Sequence, residues 1–305
     1  MDKPLLSVCL ITYNHEKYIR QAIEGVLMQK VDFDWELIIA DDYSTDGTRS
    51  ILQEYKTKYP GFIKLILQEK NVGPAQNWWA LLTAPKSKYI AYFEGDDYWT
   101  DPLKLQKQVS FMENNPDYVQ VFHNVLKIFE DGSKDPFLYC APDQAEDCNT
   151  EDLLKRGNII PTGSIVFQRC LVDSIPSWIF SLGMGDWPVN ILFSQTGKIK
   201  YLNEVMGVYR FHAGGAWSAA TALNKGIVIL DAYRAYLKNL QLTQPEIKIC
   251  KKMIAKWTNN VYNNFLSLHK KRKAASFLLK YITSQPLYIF DIRFLKNIGH
   301  FVTHK

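Results

Sequence analysis

Two short apolar runs in the first hundred residues each end in a crowd of carboxylates, and this constrains the chain more than any other feature. Trp35-Glu36-Leu37-Ile38-Ile39-Ala40 leads into Asp41-Asp42-Tyr43-Ser44-Thr45-Asp46-Gly47-Thr48, and Tyr89-Ile90-Ala91-Tyr92-Phe93 leads into Glu94-Gly95-Asp96-Asp97. Apolar runs of this length read as buried strands. Like charges gathered at a strand end repel one another, so the group persists where a cation or a ligand's donors offset the repulsion. In an open α/β sheet that is also where ligands bind, at the carboxyl ends of strands near a switch in strand order. Oxygen donors with no cysteine nearby suit a hard ion, magnesium or manganese, bridging phosphate oxygens. The competing reading is that these acids only cap the helices that follow. It is preferred for Asp46 and Asp101, which stand close to helix starts, and rejected for Asp96 and Asp97, because one cap does not need three acids.

The surrounding pattern predicts an α/β fold. Strands are expected at Ser7–Thr12, 35–40, Phe62–Leu67, 89–93, Val119–Phe129, Ser164–Gln168 and Ile199–Arg210. Between them the spacing predicts helices over Glu16–Gln29 with Asn14 as the cap, over 48–59, over Pro74–Thr83, from Pro102 to about Asn114, and over Trp187–Thr196. This alternation of strand and helix is the signature of a parallel sheet. Residues 130–150 are polar and turn-rich, a surface excursion. Beyond Ala216 the alternation gives way to long helical stretches, which places a boundary near residue 215.

Composition excludes several classes. Among 305 residues, 47% are apolar and 22% charged, as in a globular enzyme, and no apolar run approaches the roughly 18–20 residues of a membrane-spanning helix. The five cysteines are odd in number and never in a Cys-x-x-Cys pair, which argues against a disulfide framework or a structural zinc. With no secretory cleavage pattern near the start, a cytoplasmic location is expected. The net charge of +5 comes from the C-terminal region: past Lys238 many basic residues, Lys251, Lys252, Lys270 to Lys273, Arg293 and Lys296 among them, face only Glu246 and Asp291. Interleaved with Ile254, Trp257 and Phe277 to Leu279, they read either as a basic amphipathic face for anionic lipid or an acidic acceptor, or as a solvated helical cap. No nucleic-acid-binding motif accompanies the charge.

Four stretches together carry a resemblance. Ser7–Asn14 (SVCLITYN), the Asp-Asp-x-Ser-x-Asp-Gly-Thr stretch at 41–48, Asn71-Val72-Gly73-x-x-x-Asn77 and Glu94-x-Asp96-Asp97 resemble glycosyltransferase family 2, in that family's order and each at a strand end. The resemblance spans residues 4 to 215. It implies the GT-A fold, a Rossmann-like, mostly parallel sheet flanked by helices, here with a C-terminal helical extension. Residues 1–215 would form the nucleotide-sugar-binding and catalytic domain and 216–305 a basic, mainly helical region. It further implies that Thr12 and Asn14 contact base and ribose, that Asp42 accepts a hydrogen bond from the base, best the imide N–H of uracil, and that Asn71 and Asn77 line the ribose or donor sugar. Asp96 would ligate a divalent metal, Mn2+ or Mg2+, with Asp97 beside it. Glu94 replaces an aspartate of the family's pattern, which alters its reach toward ribose or metal.

The same resemblance points to Asp186, Arg210 and His212, and Trp187 stands beside the first of them. Asp186, in Met184-Gly185-Asp186-Trp187, stands where the family carries its general base, the group that takes the acceptor proton in an inverting single displacement. Its alternative is an N-cap for the helix that follows. Trp187 offers a sugar-stacking face or a core side chain. In Tyr209-Arg210-Phe211-His212-Ala213-Gly214-Gly215, Arg210 would pair with phosphate and His212 would contact phosphate or complete the metal shell.

The expected activity is transfer of a hexosyl or N-acetylhexosaminyl group from a nucleoside diphosphate sugar, UDP-linked, to a glycan or lipid-linked acceptor hydroxyl in bacterial cell-surface polysaccharide synthesis. Peripheral contact with the inner face of the membrane is compatible with the basic region. The alternative is a nucleotide-sugar-binding protein that keeps the fold without turnover. A nucleotidyltransferase is disfavoured because the first strand leads into Thr-Tyr-Asn-His-Glu and not into a glycine-rich phosphate loop.

Overall fold

The structure is a computed structural model and describes residues 3–215 and 217–284. In chain order it runs β1 (Leu6–Thr12), α1 (Ile19–Leu27), β2 (Trp35–Asp41), α2 (Thr48–Lys58), β3 (Ile63–Leu67), α3 (Pro74–Thr83), β4 (Tyr89–Glu94) and β5 (Tyr98–Trp99). Then come α4 (Lys104–Asn114), β6 (Tyr118–Phe129), β7 (Phe137–Leu138), β8 (Asp147–Cys148), α5 (Thr150–Arg156) and β9 (Val166–Gln168). The chain continues through α6 (Asp186–Ser194), β10 (Lys198–Phe211), α7 (Ala222–Asn239), α8 (Gln244–Ser267) and α9 (Lys271–Ser284).

Among the described residues one sheet holds all the strands, in the order β3-β2-β1-β4-β9-β6-β10-β5, with β7 beside β6 and β8 beside β10. β3, β2, β1 and β4 are parallel neighbours. β9 is antiparallel to both β4 and β6, and β10 is parallel to β6, so all the long strands point the same way. Leu6, Val8, Cys9 and Leu10 of β1 are all fully buried. An unbroken buried run is what a central parallel strand requires, because helices cover both of its faces. The helix α1 packs so closely on β5 that a Cβ at Gly25 would lie 3.0 Å from the Trp99 backbone nitrogen; only glycine allows that approach.

Two local expectations change. The first helix starts at Ile19, not Glu16, and Asn14 does not cap it. Instead Asn14 takes a left-handed backbone (φ 55°) and accepts a hydrogen bond from the Thr45 N–H at 2.8 Å, while Glu16 accepts one from the Gly47 N–H at 2.9 Å. The polar turn after β1 is laced to the turn after β2, and that lacing displaces the helix start. Pro102 likewise lies ahead of α4, whose first residue is Lys104.

By contact the chain falls into two compact units, one of residues 1–180 and 185–212, the other of 181–184 and the residues from 213 on. In the second, α7 buries Leu230, Tyr233 and Tyr236, and α8 buries Cys250, Ile254, Val261 and Tyr262. The two helices meet closely at Gly226, where a Cβ would lie 3.0 Å from Val261 Cγ2. Lys251, Lys252 and Lys256 stay exposed, so the apolar half of the α8 pattern is helix–helix core and the basic half is surface. Arg293 and Lys296 lie outside the described residues. Among the described residues no helix is long and apolar enough to cross a membrane.

Candidate active site at the carboxyl edge of the sheet

β1 lies between β2 and β4, with Thr12 opposite Asp41 and Ile11 opposite Glu94. The chain leaves β1 toward β2 on one side and β4 joins on the other, so this edge is a topological switch point, where a crevice opens outside the strand ends. β10 ends at the same edge and delivers Arg210 and His212.

The two acidic clusters differ in what satisfies them. Asp41 is fully buried; it accepts from the Ser44 N–H at 3.0 Å, from the Ser44 hydroxyl, and from Arg49 Nε at 2.6 Å. Asp42 is 3% exposed, and its carboxylate oxygens accept from the backbone N–H groups of Val72 (2.7 Å) and Gly73 (3.0 Å). Asp46 accepts from the N–H groups of Thr48 and Glu16, the capping role expected of it. Asp101 likewise accepts from the Leu103 N–H. Protein donors thus satisfy the whole first cluster.

In the second cluster, Glu94, Asp96 and Asp97 bring carboxylate oxygens to within 4.8 Å of one another. Asp97, 4% exposed, accepts from the Arg210 N–H at 2.8 Å. Burial, followed by the charge of Asp96, still pushes its carboxyl well above the usual range. The Glu94 carboxyl is pushed up to about 8 by burial, then by the charges of Asp96 and Asp186. Asp96 goes the other way. Burial pulls it up, but a 2.9 Å contact with His212 Nε2 and the nearby His15 ring hold it below its ordinary value. Its second oxygen, Oδ1, is buried without a hydrogen-bond partner.

Asp186 opens α6 as its first residue, and its side chain makes no capping hydrogen bond. Oδ2 accepts from Asn158 Nδ2 at 2.5 Å and from the Thr162 hydroxyl at 3.2 Å. Its charge acts on both Glu94 and Tyr92. Asn158 and Thr162, which the sequence reading did not single out, lie in the irregular stretch after α5, where no periodicity marks them. Trp187 is 2% exposed and its indole N–H donates to the Leu153 carbonyl, so it is core and not a sugar platform.

Several residues expected on the donor side have protein partners in this structure. Asn77 is 1% exposed; its amide donates to the Ala40 carbonyl and accepts from Gln68. It braces the end of β2. The Arg210 fork is spent on protein. Nη1 donates to the Asp96 carbonyl and Nη2 to Gln21 Oε1, both at 2.7 Å, and Nε faces Glu130 at 3.4 Å. Its guanidinium lies 4.9 Å and 5.0 Å from the ring centres of Tyr18 and Tyr98. In this arrangement it fixes the Asp96–Asp97 turn. Asp42 orders residues 71–73, helped by Asn71, which donates to the Asp42 carbonyl. Thr12 is 1% exposed with its hydroxyl unpartnered, and Asn14 is exposed.

The residues present fit a divalent cation. An orphaned buried oxygen on Asp96, two neighbouring carboxyls pushed upward by burial and then by the charge of Asp96, and an imidazole give a donor set that one positive ion would satisfy.

Comparison with known proteins agrees with this geometry. The family profile described as Glycosyl transferase family 2 matches residues 7–168, just over half of the chain. An uncharacterized protein of Mycobacterium tuberculosis (strain H37Rv) is 41% identical over 216 residues, covering 70% of this chain and 61% of that protein. This chain thus spans about three fifths of that relative's length. Among solved structures, Staphylococcus aureus TarS 1-349 in complex with UDP-GlcNAc superposes with a TM-score of 0.67 at 19% identity, over 93% of this chain and 80% of that one. The mannosyltransferase PcManGT of Pyrobaculum calidifontis, in complex with GDP-Man and Mn2+, does so with a TM-score of 0.60 at 14% identity, over 93% and 81%. The sheet order, the helices on both faces and the C-terminal helices are those of the GT-A fold. A profile match across most of the sheet, over strands whose ends assemble the acidic cluster, makes this chain a member of glycosyl transferase family 2.

Proposed function

We propose that the chain transfers a glycosyl group, hexosyl or N-acetylhexosaminyl, from a nucleoside diphosphate sugar to an acceptor hydroxyl with inversion, and that the donor is UDP-linked. The observation that carries this reading is the placement of Asp186. Its Oδ2 is tethered by Asn158 and Thr162, while its field reaches the Glu94–Asp96–Asp97 cluster where a diphosphate and its cation would lie. Tethering one oxygen fixes the carboxylate's aim and leaves Oδ1 for the incoming hydroxyl. The acceptor oxygen attacks the anomeric carbon and its proton passes to Asp186. The bond between that carbon and the diphosphate oxygen breaks, and the diphosphate leaves with the electron pair. Asp96, with His212, Asp97 and Glu94 around it, would hold a divalent cation, which when bound would supply positive charge against that leaving group.

Thr12, Asn14 and Asn71 are assigned to the nucleoside side, around the 71–73 turn that Asp42 fixes. TarS in complex with UDP-GlcNAc supports uridine as the base, and PcManGT with GDP-Man and Mn2+ supports a metal-dependent donor site. The proposed acceptor is a glycan or lipid-linked saccharide of the bacterial cell surface, modified in the cytoplasm. The exposed lysines of α8 suit an anionic membrane face.

The test is release of nucleoside diphosphate from a panel of UDP- and GDP-sugars, with and without EDTA. The proposal requires release from at least one UDP-sugar that EDTA suppresses and Mn2+ restores. Release indifferent to EDTA, or confined to GDP-sugars, would sink the corresponding part.

A further inference from the structure

We propose that His15 is a positioning residue for the cation seat, holding Asp96 Oδ2 through its Nε2–H while His212 turns its own Nε2 lone pair to the ion. The proposal rests on the reading of the site given above. His15 lies in the turn after β1, beside Asn14, and nothing in the donor chemistry already described uses it.

Three atoms bring it forward. His15 Nδ1, Thr12 Oγ1 and Asp96 Oδ1 are all buried side-chain atoms without a hydrogen-bond partner. Buried polar atoms are seldom left unpaired, and each one in a folded protein calls for an explanation. The first two look onto the same place. A Cβ on Gly95 would lie 3.1 Å from both His15 Nδ1 and Thr12 Oγ1, and 3.0 Å from Ile19 Cδ1. Glycine between Glu94 and Asp96 therefore lets the histidine and threonine close over the turn that carries the metal-binding carboxylates. On its other side His15 Nε2 is 3.8 Å from Asp96 Oδ2, the oxygen that His212 Nε2 now contacts at 2.9 Å.

An imidazole that ligates a cation through Nε2 cannot also donate a hydrogen from that nitrogen. When His212 takes up the ion, Asp96 loses its present donor and needs another, because ligating carboxylates are held in aim by outer hydrogen bonds. His15 is the group placed to supply it. With its hydrogen on Nε2, the ring donates to Asp96 once the present 3.8 Å closes to hydrogen-bond distance, while its Nδ1 shares the space over Gly95 with the Thr12 hydroxyl. That contact restores a donor to Asp96 Oδ2, and the cation takes the orphaned Oδ1.

Mn2+ titration of the full chain in the presence of UDP, followed by the EPR signal of free Mn2+, tests this. His15→Ala is expected to weaken Mn2+ binding by roughly ten- to hundredfold. His15→Gln, which keeps an N–H donor, is expected to recover most of that loss, which a merely structural role would not predict. Pulsed EPR of the loaded protein should show one directly bound nitrogen, kept in His15→Ala and lost in His212→Ala. A His15→Ala affinity within twofold of the original, or disappearance of the bound nitrogen in His15→Ala, overturns the proposal. If the unaltered chain binds no Mn2+, the metal reading of the whole site fails first. If it binds Mn2+ and His15→Ala binds equally well, only the role of His15 fails.

Discussion

The acidic turn after β2 and the acidic turn after β4 look alike in sequence and behave as opposites in the fold. In the first, every carboxylate is met by donors of the chain itself: Ser44 and Arg49 on Asp41, Val72 and Gly73 on Asp42, Thr48 and Glu16 on Asp46. In the second, carboxylates face each other, one oxygen has no partner, and the Glu94 carboxyl is driven up to about 8. Counting acids does not separate the two. Counting donors does. A cluster that the protein completes is architecture, and a cluster it leaves incomplete is a seat for something else.

The largest effect that would sharpen this contrast lies just outside both clusters. Asp186→Asn keeps the tether to Asn158 and Thr162 nearly isosteric but removes the proton acceptor. Transfer is expected to fall by about 10²–10⁴-fold, with donor and Mn2+ affinities unchanged within a few-fold. Steady-state transfer alongside donor titration checks it; an unchanged rate removes Asp186 as the base.

The next effect is in stability. Asp41→Ala strips a fully buried carboxylate from Arg49, whose side chain is 27% exposed, so the expected loss is about 3 kcal/mol, at the low end for a broken buried pair. Denaturant unfolding measures it, and Mn2+ affinity of the surviving folded protein should change little. Strong loss of Mn2+ binding there would break the contrast.

The second cluster should show the reverse sign. The folded chain holds the Glu94 proton up to about pH 8, against an ordinary value of 4.5. The stability this contributes is fully present below about pH 4.5 and is lost as pH rises through about 8. Glu94→Gln cannot ionise, so without metal it should be more stable than the unaltered chain at pH 8, by roughly 1–2 kcal/mol, at the cost of cation binding. Thermal unfolding in EDTA at pH 5 and pH 8 decides this; a Glu94→Gln chain less stable at pH 8 would contradict the account. The smallest effect is Asp46→Ala, a lost cap costing about 1 kcal/mol, with Mn2+ binding untouched.

Much of this fold was legible because it is written in local pattern. The buried run of β1, the helix at 74–83 after Asn71-Val72-Gly73, and the acids placed directly after β2 and β4 need only periodicity and strand-end logic. What escaped depends on partners distant in sequence. Asn14 has the composition of a cap, yet its oxygen serves Thr45, thirty-one residues on. The protein partners of Asn77 and Arg210, which are Ala40, Gln68, Gln21 and the Asp96 carbonyl, are likewise invisible to local pattern. The tethers of Asp186 sit in an irregular stretch whose only signal is three-dimensional. His15 was visible beside Asn14, but its pairing with Asp96 needs the β1–β4 register.

The central claim is that the carboxylates after β4 are an unfinished cation seat, and proton release on metal binding tests it most directly. A cation that displaces the proton of Glu94 should bind about tenfold more tightly per pH unit as pH rises toward 8, then level off, with roughly one proton released per ion below that point. Calorimetric Mn2+ titration of the unaltered chain and of Asp96→Asn, in buffers of different ionisation enthalpy between pH 6 and 9, reads both quantities. The account predicts that dependence in the unaltered chain and its loss, with the affinity, in Asp96→Asn. Mn2+ binding that ignores pH and survives Asp96→Asn would contradict it.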